Sequence, residues 1–155
     1  ASVGTNEVTT GVELNPLVGG NTTPTLLDYG TLTVGAANNP LDKTLTTVPT
    51  GNVGLDVQIK ANTANMCTNY SACTGGTPIP ITYQKYALAA STTYASGITL
   101  STTSTEAELN VPKQTSTTAP SKQTWWGIQI PTGTVAGIYN GLNTLTYIMG
   151  ETANW

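Results

Sequence analysis

Few side chains in this chain could do chemistry, because its 155 residues contain no histidine and no arginine. Their absence removes the commonest general base and metal ligand, and the guanidinium group that binds anions with two hydrogen bonds. Glu106 and Glu108 stand two residues apart in an alternating segment, so both project from one face of a strand. Paired carboxylates can hydrolyse glycosides, but a solvated strand face is the simpler interpretation. We therefore expect no catalytic residue, no cofactor and a chain that is not an enzyme.

Hydroxyl nucleophiles and metal sites have little support in the sequence. Threonine alone makes up about a fifth of the residues, far above ordinary usage, but no histidine is present to activate a hydroxyl. Asn38, Asn39 and Asp42 offer oxygen ligands for calcium without the spacing of an EF-hand loop. We expect no bound metal, and calcium at this turn stays a minor alternative.

The two cysteines indicate the compartment in which the protein is located. Cys67 and Cys73 lie close together in a segment rich in Asn, Thr, Ser and Gly, and two cysteines without histidine cannot complete a tetrahedral zinc site. We predict an intrachain disulfide and a secreted or cell-surface location; two reduced thiols are the alternative. Asn21 and Asn69 each begin an Asn-X-Thr/Ser sequence and are candidate glycosylation sites in an exported protein.

The charges and the apolar residues exclude two classes of partner. The net charge is −3, and neither acidic residues nor the five lysines form a run. Nucleic acid is therefore not expected, because phosphate binding needs clustered cations. No apolar stretch approaches the roughly 18 residues needed to cross a bilayer, so no membrane span is expected either.

Period-two alternation is the dominant pattern and predicts β-strands. It is clearest over Val53 to Ala61, and it recurs at Ala107 to Val111 and at Trp126 to Ile130. Less regular strands are predicted at four further segments: Leu26 to Val34, Lys43 to Val48, Ile81 to Ala89 and Ile138 to Met149. The polar segment Thr115 to Ser121 is predicted to be a loop at the surface. Many short strands separated by turn signals predict an all-β sandwich of seven to nine strands.

The N-terminal segment has an apolar face of its own. Val8, Thr10, Val12 and Leu14 alternate with polar residues and glycine, and a turn-rich stretch follows. We predict a strand at residues 1–14, a hinge at 15–25 and the sandwich domain at 26–155. The strand either completes its own sheet or completes the sheet of a neighbouring copy, which is donor-strand complementation. Head-to-tail completion that does not close gives a homopolymer of this chain.

Part of the sequence resembles a known kind of surface domain. The string Trp126 to Thr134, followed by Gly137 to Gly141 and Asn143 to Thr146, resembles the closing hairpin of secreted immunoglobulin-like surface domains of bacteria and archaea. The resemblance implies an immunoglobulin-like sandwich and a cell-surface role. With the N-terminal strand, the chain is also similar to pilins and fibre subunits that assemble by strand exchange. Tyr139 is expected to place its ring in the core and its hydroxyl on a loop carbonyl, like the tyrosine corner of such sandwiches.

Exposed aromatic residues support a second hypothesis. Trp125 lies on the face opposite Trp126, and Trp155 ends the chain. Such rings could stack on a sugar or on a neighbouring subunit. We favour a structural subunit of an extracellular, pilus-like filament, and the alternative is a carbohydrate-binding or adhesive module whose partners are glycans.

Overall fold

The computed structural model describes residues 11–155. Antiparallel strands supply the regular structure there, apart from three short 3-10 turns at Ile81–Tyr83, Tyr94–Ser96 and Thr152–Asn154. The strands, in chain order, are β1 (Gly20–Thr23), β2 (Lys43–Pro49), β3 (Leu55–Ala61), β4 (Asn65–Met66), β5 (Ile79–Pro80), β6 (Gln84–Ala87), β7 (Ile98–Thr99), β8 (Thr105–Val111), β9 (Lys122–Ile128) and β10 (Asn143–Met149).

The strands form two larger sheets and one small ribbon. One sheet has five strands in the order β1-β2-β9-β6-β7, the other has three in the order β10-β3-β8, and β4 pairs with β5. Buried side chains from both larger sheets form a single apolar core between them. The all-β prediction is confirmed. The described residues contain ten strands rather than seven to nine, and three of these strands, β4, β5 and β7, have only two residues each.

The core follows the predicted alternation on the most regular strands. Leu55, Val57, Ile59 and Ala61 on β3 are all buried. Trp126 on β9 is fully buried, and its ring centroid lies 5.3 Å from that of Tyr86 on β6. Period-two alternation therefore identified the core face of these strands correctly, because one face of each strand packs on the opposite sheet.

Near the N-terminal side of the domain, one predicted strand is absent and one strand that was not predicted is present. Leu26 to Val34 contains no strand, and this loop instead sends the Tyr29 hydroxyl into the core, where it donates to Gln84 Oε1 at 3.0 Å. β1 lies inside the segment predicted as a hinge and pairs with β2. Gly20 suits that position because a Cβ there would lie 2.7 Å from the Tyr147 ring.

Two predicted strands are shorter than expected. Ile81 to Ala89 begins with a 3-10 turn, so β6 starts only at Gln84. Ile138 to Met149 forms a strand only from Asn143 onward. Before that strand, Tyr139 packs against the core and its hydroxyl donates to the Val135 carbonyl at 2.8 Å, as predicted. The connection before β9 is a loop, also as predicted.

The disulfide between Cys67 and Cys73 is present, with their Cα atoms 5.2 Å apart. It closes the loop that follows β4, and backbone hydrogen bonds between Cys67 and Asn140 hold that loop against the segment before β10. In residues 11–155, no helix has the length and apolar character required to cross a bilayer.

Candidate functional site

The two edges of the three-stranded sheet differ in how well they cover the core. On β8, the inward-facing Ala107, Leu109 and Val111 are 3%, 4% and 0% exposed. On β10, Leu145 and Tyr147 face the same core but remain only half-buried. Their partners on β3, Ile59 and Val57, are 1% and 0% exposed. The core is therefore closed at β8 and open at β10.

The backbone of β10 is also unpaired on its outer side within the described part of the chain. At the two ends of the β10–β3 ladder, Leu142 accepts a hydrogen bond from Asn62, and Gly150 donates one to Gly54. Hydrogen-bonded residues alternate along an antiparallel strand. It follows that the even-numbered residues of β10 bond to β3, while Asn143, Leu145, Tyr147 and Met149 direct their N–H and C=O groups outward. These groups are available to another strand.

An apolar groove lies beside this open edge, between β10 and the β1–β2 side of the larger sheet. Its cavity has a volume of about 290 Å³, which corresponds to the space of roughly ten water molecules in the liquid. Leu45 of β2, Trp126 of β9 and Leu145 of β10 are among the residues that line it. Leu26 and Leu142 line it as well and are largely exposed. We call this cavity and the outer side of β10 the open groove.

Hydrogen bonds fix the walls of the open groove. Gln84, which is buried, accepts hydrogen bonds at Oε1 from Tyr29 and from Asn143 Nδ2, each at 3.0 Å. Burial, with a smaller contribution from Tyr94, raises the pKa of Tyr29 far above its usual value, so this phenol stays protonated. On the other side, the Tyr147 hydroxyl donates to Thr22 Oγ1 at 2.8 Å. The groove is thus a preformed feature that joins both sheets.

The segment before β1 carries exposed apolar side chains. Val12 and Leu14, two of the predicted donor residues, are 94% and 76% exposed, and residues 11–19 belong to no strand. Val8 and Thr10 lie outside the described residues. The root of the segment is fixed, because Asn52 accepts a hydrogen bond from Leu17 N–H at 2.6 Å and donates one to the Asn15 carbonyl at 3.0 Å.

The remaining predicted surface residues are dispersed. Asn21 on β1 and Asn69 in the disulfide loop are both exposed, and Asn69 Nδ2 donates to the Thr74 carbonyl. Trp125 is half-buried on the outer face of β9, and Trp155 is 38% exposed with its indole N–H donating to the Gly150 carbonyl at 2.8 Å. These residues do not form a common site.

The oxygens considered for calcium at the Asn38 turn are already engaged. Asn38 Oδ1 accepts from the Ile128 N–H at 3.1 Å, and Asn39 Oδ1 accepts from the Tyr94 N–H at 2.9 Å. Asp42 forms an ion pair with Lys43 at 3.7 Å. Amide oxygens that cap backbone N–H groups stabilise the turn, so their structural role accounts for these residues.

Comparisons with protein-family models, with curated proteins and with solved structures found no match for this chain. Leu145 and Tyr147 were not singled out from the sequence, although both fall in a predicted strand. Their alternation was visible, but the position of that strand at a sheet edge was not.

Proposed function

We propose that this protein is a structural subunit of an extracellular filament, in which the N-terminal segment of one copy pairs with β10 of the next. The observation that carries the proposal is the open groove. An edge strand whose outer backbone is unpaired among the described residues, and whose inward apolar residues are half-buried, occurs in the same molecule as an apolar-faced segment whose described residues, 11–19, belong to no strand.

The two parts match in chemistry. A donor strand forms backbone hydrogen bonds with the outward N–H and C=O groups of β10 and places alternate side chains in the groove. Val8, Val12 and Leu14 are the apolar side chains on the donor face. Burying a valine or leucine side chain contributes about 1.5 to 3 kcal/mol. The burial of several such side chains, together with the backbone hydrogen bonds, would stabilise the contact between two copies.

Pairing with a neighbouring copy fits the exposure of the segment better than pairing within the chain. Asn15 and Leu17 are held by Asn52, at the end of the sandwich where β10 also terminates. A segment folded back onto its own groove would bring Val12 and Leu14 against that sandwich, yet both are largely exposed. Because the donor and the groove are different surfaces, each copy offers one of each, and the contact repeats head to tail. Repetition that does not close into a ring gives the proposed filament.

An extracellular setting is supported by the disulfide, since such bonds persist in oxidising compartments. The immunoglobulin-like character that the closing hairpin suggests belongs to the same proposal. The five-stranded and three-stranded sheets would form such a sandwich with one strand position, beside β10, filled by the neighbour.

A truncation followed by complementation tests this function. A variant lacking residues 1–14 is expected to remain a soluble monomer that is less stable than the assembled subunit, whereas the full chain is expected to form polymers visible by electron microscopy. A synthetic peptide of residues 1–14 should bind the truncated variant and raise its Tm. A peptide with Val12→Asp and Leu14→Asp is the matched control and should do neither. Fibres formed by the truncated variant, or equal binding of both peptides, would contradict the proposal.

A further inference from the structure

Three carboxylates from distant parts of the chain meet at the end of the sandwich where β10 terminates. Asp56 comes from β3, Glu108 from β8 and Glu151 from the turn that follows β10. One oxygen from each carboxylate lies within 4.8 Å of the other two. This spacing would bring three oxygens around a single small cation.

Asp56 is the unusual member of this group because it is completely buried. Its Oδ1 accepts a hydrogen bond from the Asn110 N–H at 2.6 Å, whereas its Oδ2 is buried with no hydrogen-bond partner among the described residues. A buried carboxylate oxygen without a partner is costly, and nearly all buried polar atoms in proteins have one. Oδ2 also borders Gly150, where a Cβ would lie 3.2 Å from it.

The electrostatics of the group likewise favour a cation. Asp56, Glu108 and Glu151 are all acidic, and a fourth acidic residue, Glu106, lies two residues from Glu108 on β8. The ion pair formed among the described residues, Lys43 with Asp42, involves none of these three carboxylates. A divalent cation would neutralise charges that otherwise repel one another.

We propose that Asp56, Glu108 and Glu151 bind a calcium ion. Carboxylate oxygens are the hard ligands that Ca²⁺ prefers, and its variable coordination number tolerates water in the positions that the protein leaves open. The chain has no histidine, and its two cysteines are bonded to each other, so imidazole and thiolate ligands for transition metals are not available. Ca²⁺ also suits a site with two exposed carboxylates, because extracellular modules bind it at about 10⁻⁴ to 10⁻³ M.

The ion would join the end of the chain to the sandwich. Glu151 precedes the Thr152–Asn154 turn, and Asn154 Nδ2 donates to Asn110 Oδ1 at 2.7 Å. The turn is therefore already held against β8 by polar contacts. Calcium would add a direct link from this turn to β3 and β8, so the site predicts stabilisation of the folded protein.

Thermal unfolding of the full chain with Ca²⁺ tests the site. With a dissociation constant near 10⁻⁴ M, about 10 mM Ca²⁺ should raise the Tm by roughly 5 to 10 °C. Tb³⁺ provides a second probe, because Trp155 donates its indole N–H to Gly150, next to Glu151, and should sensitise terbium emission. Ca²⁺ should then quench that emission by competition.

Variants at the exposed carboxylates separate binding from folding. Glu108→Gln and Glu151→Gln each remove a ligand charge from the surface and should weaken Ca²⁺ binding at least tenfold while the protein still folds. Glu106→Gln is the matched control, since it makes the same change two residues away on β8, outside the cluster. Equal Tm shifts in all three variants and the wild type, or no response to 10 mM Ca²⁺, would overturn the proposal. The calcium site and the filament are tested independently, because Ca²⁺ binding can be measured whether or not the calcium-free protein polymerises.

Discussion

Replacing Leu14 with aspartate should prevent assembly without unfolding the subunit. Leu14 is 76% exposed and belongs to no strand, and surface substitutions of this kind usually change stability by less than about 0.5 kcal/mol. In the proposed joint the same side chain is buried in the open groove. Its loss forfeits about 1.5 to 3 kcal/mol, and a carboxylate placed among Leu45, Trp126 and Leu145 adds a desolvation cost.

The magnitude follows from these terms. A joint weakened by about 3 kcal/mol has an association constant reduced by roughly 100-fold, since each 1.4 kcal/mol is a factor of ten. We therefore expect the concentration at which polymers appear to rise about 100-fold or more. Sedimentation and light scattering over a dilution series measure that concentration, and urea unfolding measures the stability of the subunit separately.

Two controls make the result interpretable. Leu14→Met keeps an apolar side chain of similar volume and should polymerise almost like the wild type. Ile98→Asp makes the same kind of change at another exposed apolar residue, on β7 at the far edge of the larger sheet, and should leave assembly unaffected. Polymerisation of Leu14→Asp at the wild-type concentration, or equal impairment of Ile98→Asp, would contradict the burial of Leu14 in the open groove.

Two further predictions concern the core and the carboxylates. Trp126→Ala should lower the free energy of unfolding by about 3 to 5 kcal/mol in urea titrations, because Trp126 is fully buried. Trp125→Ala, on the outer face of the same strand, should lower it clearly less, and this variant should still polymerise. Loss of glycan binding by Trp125→Ala would instead favour the carbohydrate-binding alternative. In calcium-free buffer, the negative charge of Glu151 and a side-chain hydrogen bond with it are the main causes that raise the pKa of Glu108, so the folded state holds this proton more tightly than the unfolded state. Stability should therefore fall as the pH rises from about 4.5 through that raised pKa, and Glu108→Gln should flatten this slope in Tm measurements; an identical slope in the variant would contradict the assignment.

The sequence predicted the strands whose two faces have different environments. β3, β8 and β9 alternate because one face of each packs in the core. β1 was missed because its residues, Gly-Asn-Thr-Thr, have no apolar side chain, and its pairing with β2 depends on tertiary contacts. The apolar residues of Leu26 to Val34 suggested a strand, but Leu27, Tyr29 and Leu32 pack against the core from a loop.

The carboxylate cluster and the open groove depend on contacts between distant parts of the chain, which a pattern along the sequence does not show. Asp56 alternates onto the polar face of β3, so exposure was the natural expectation, yet the chain near Gly150, some ninety positions later, covers it. Likewise, the sequence of β10 predicts a strand but not its position at the edge of a sheet. Only the order of the strands shows that β10 has no partner on its outer side among residues 11–155, and that β8, the other edge, is closed over the core.

The attachment of the N-terminal segment at Asn52 has a mechanical meaning. Besides its two side-chain hydrogen bonds, the Asn52 backbone N–H donates to the Leu17 carbonyl at 3.0 Å, so three bonds fasten residues 15–17 to the loop between β2 and β3. A pull on the segment would be shared among these bonds and passed into β2 and β3, which are an inner strand of each sheet. In the proposed filament, tension from a copy's own segment would thus enter at inner strands and leave through β10, which pairs with β3 on one side and with the neighbour's donor strand on the other.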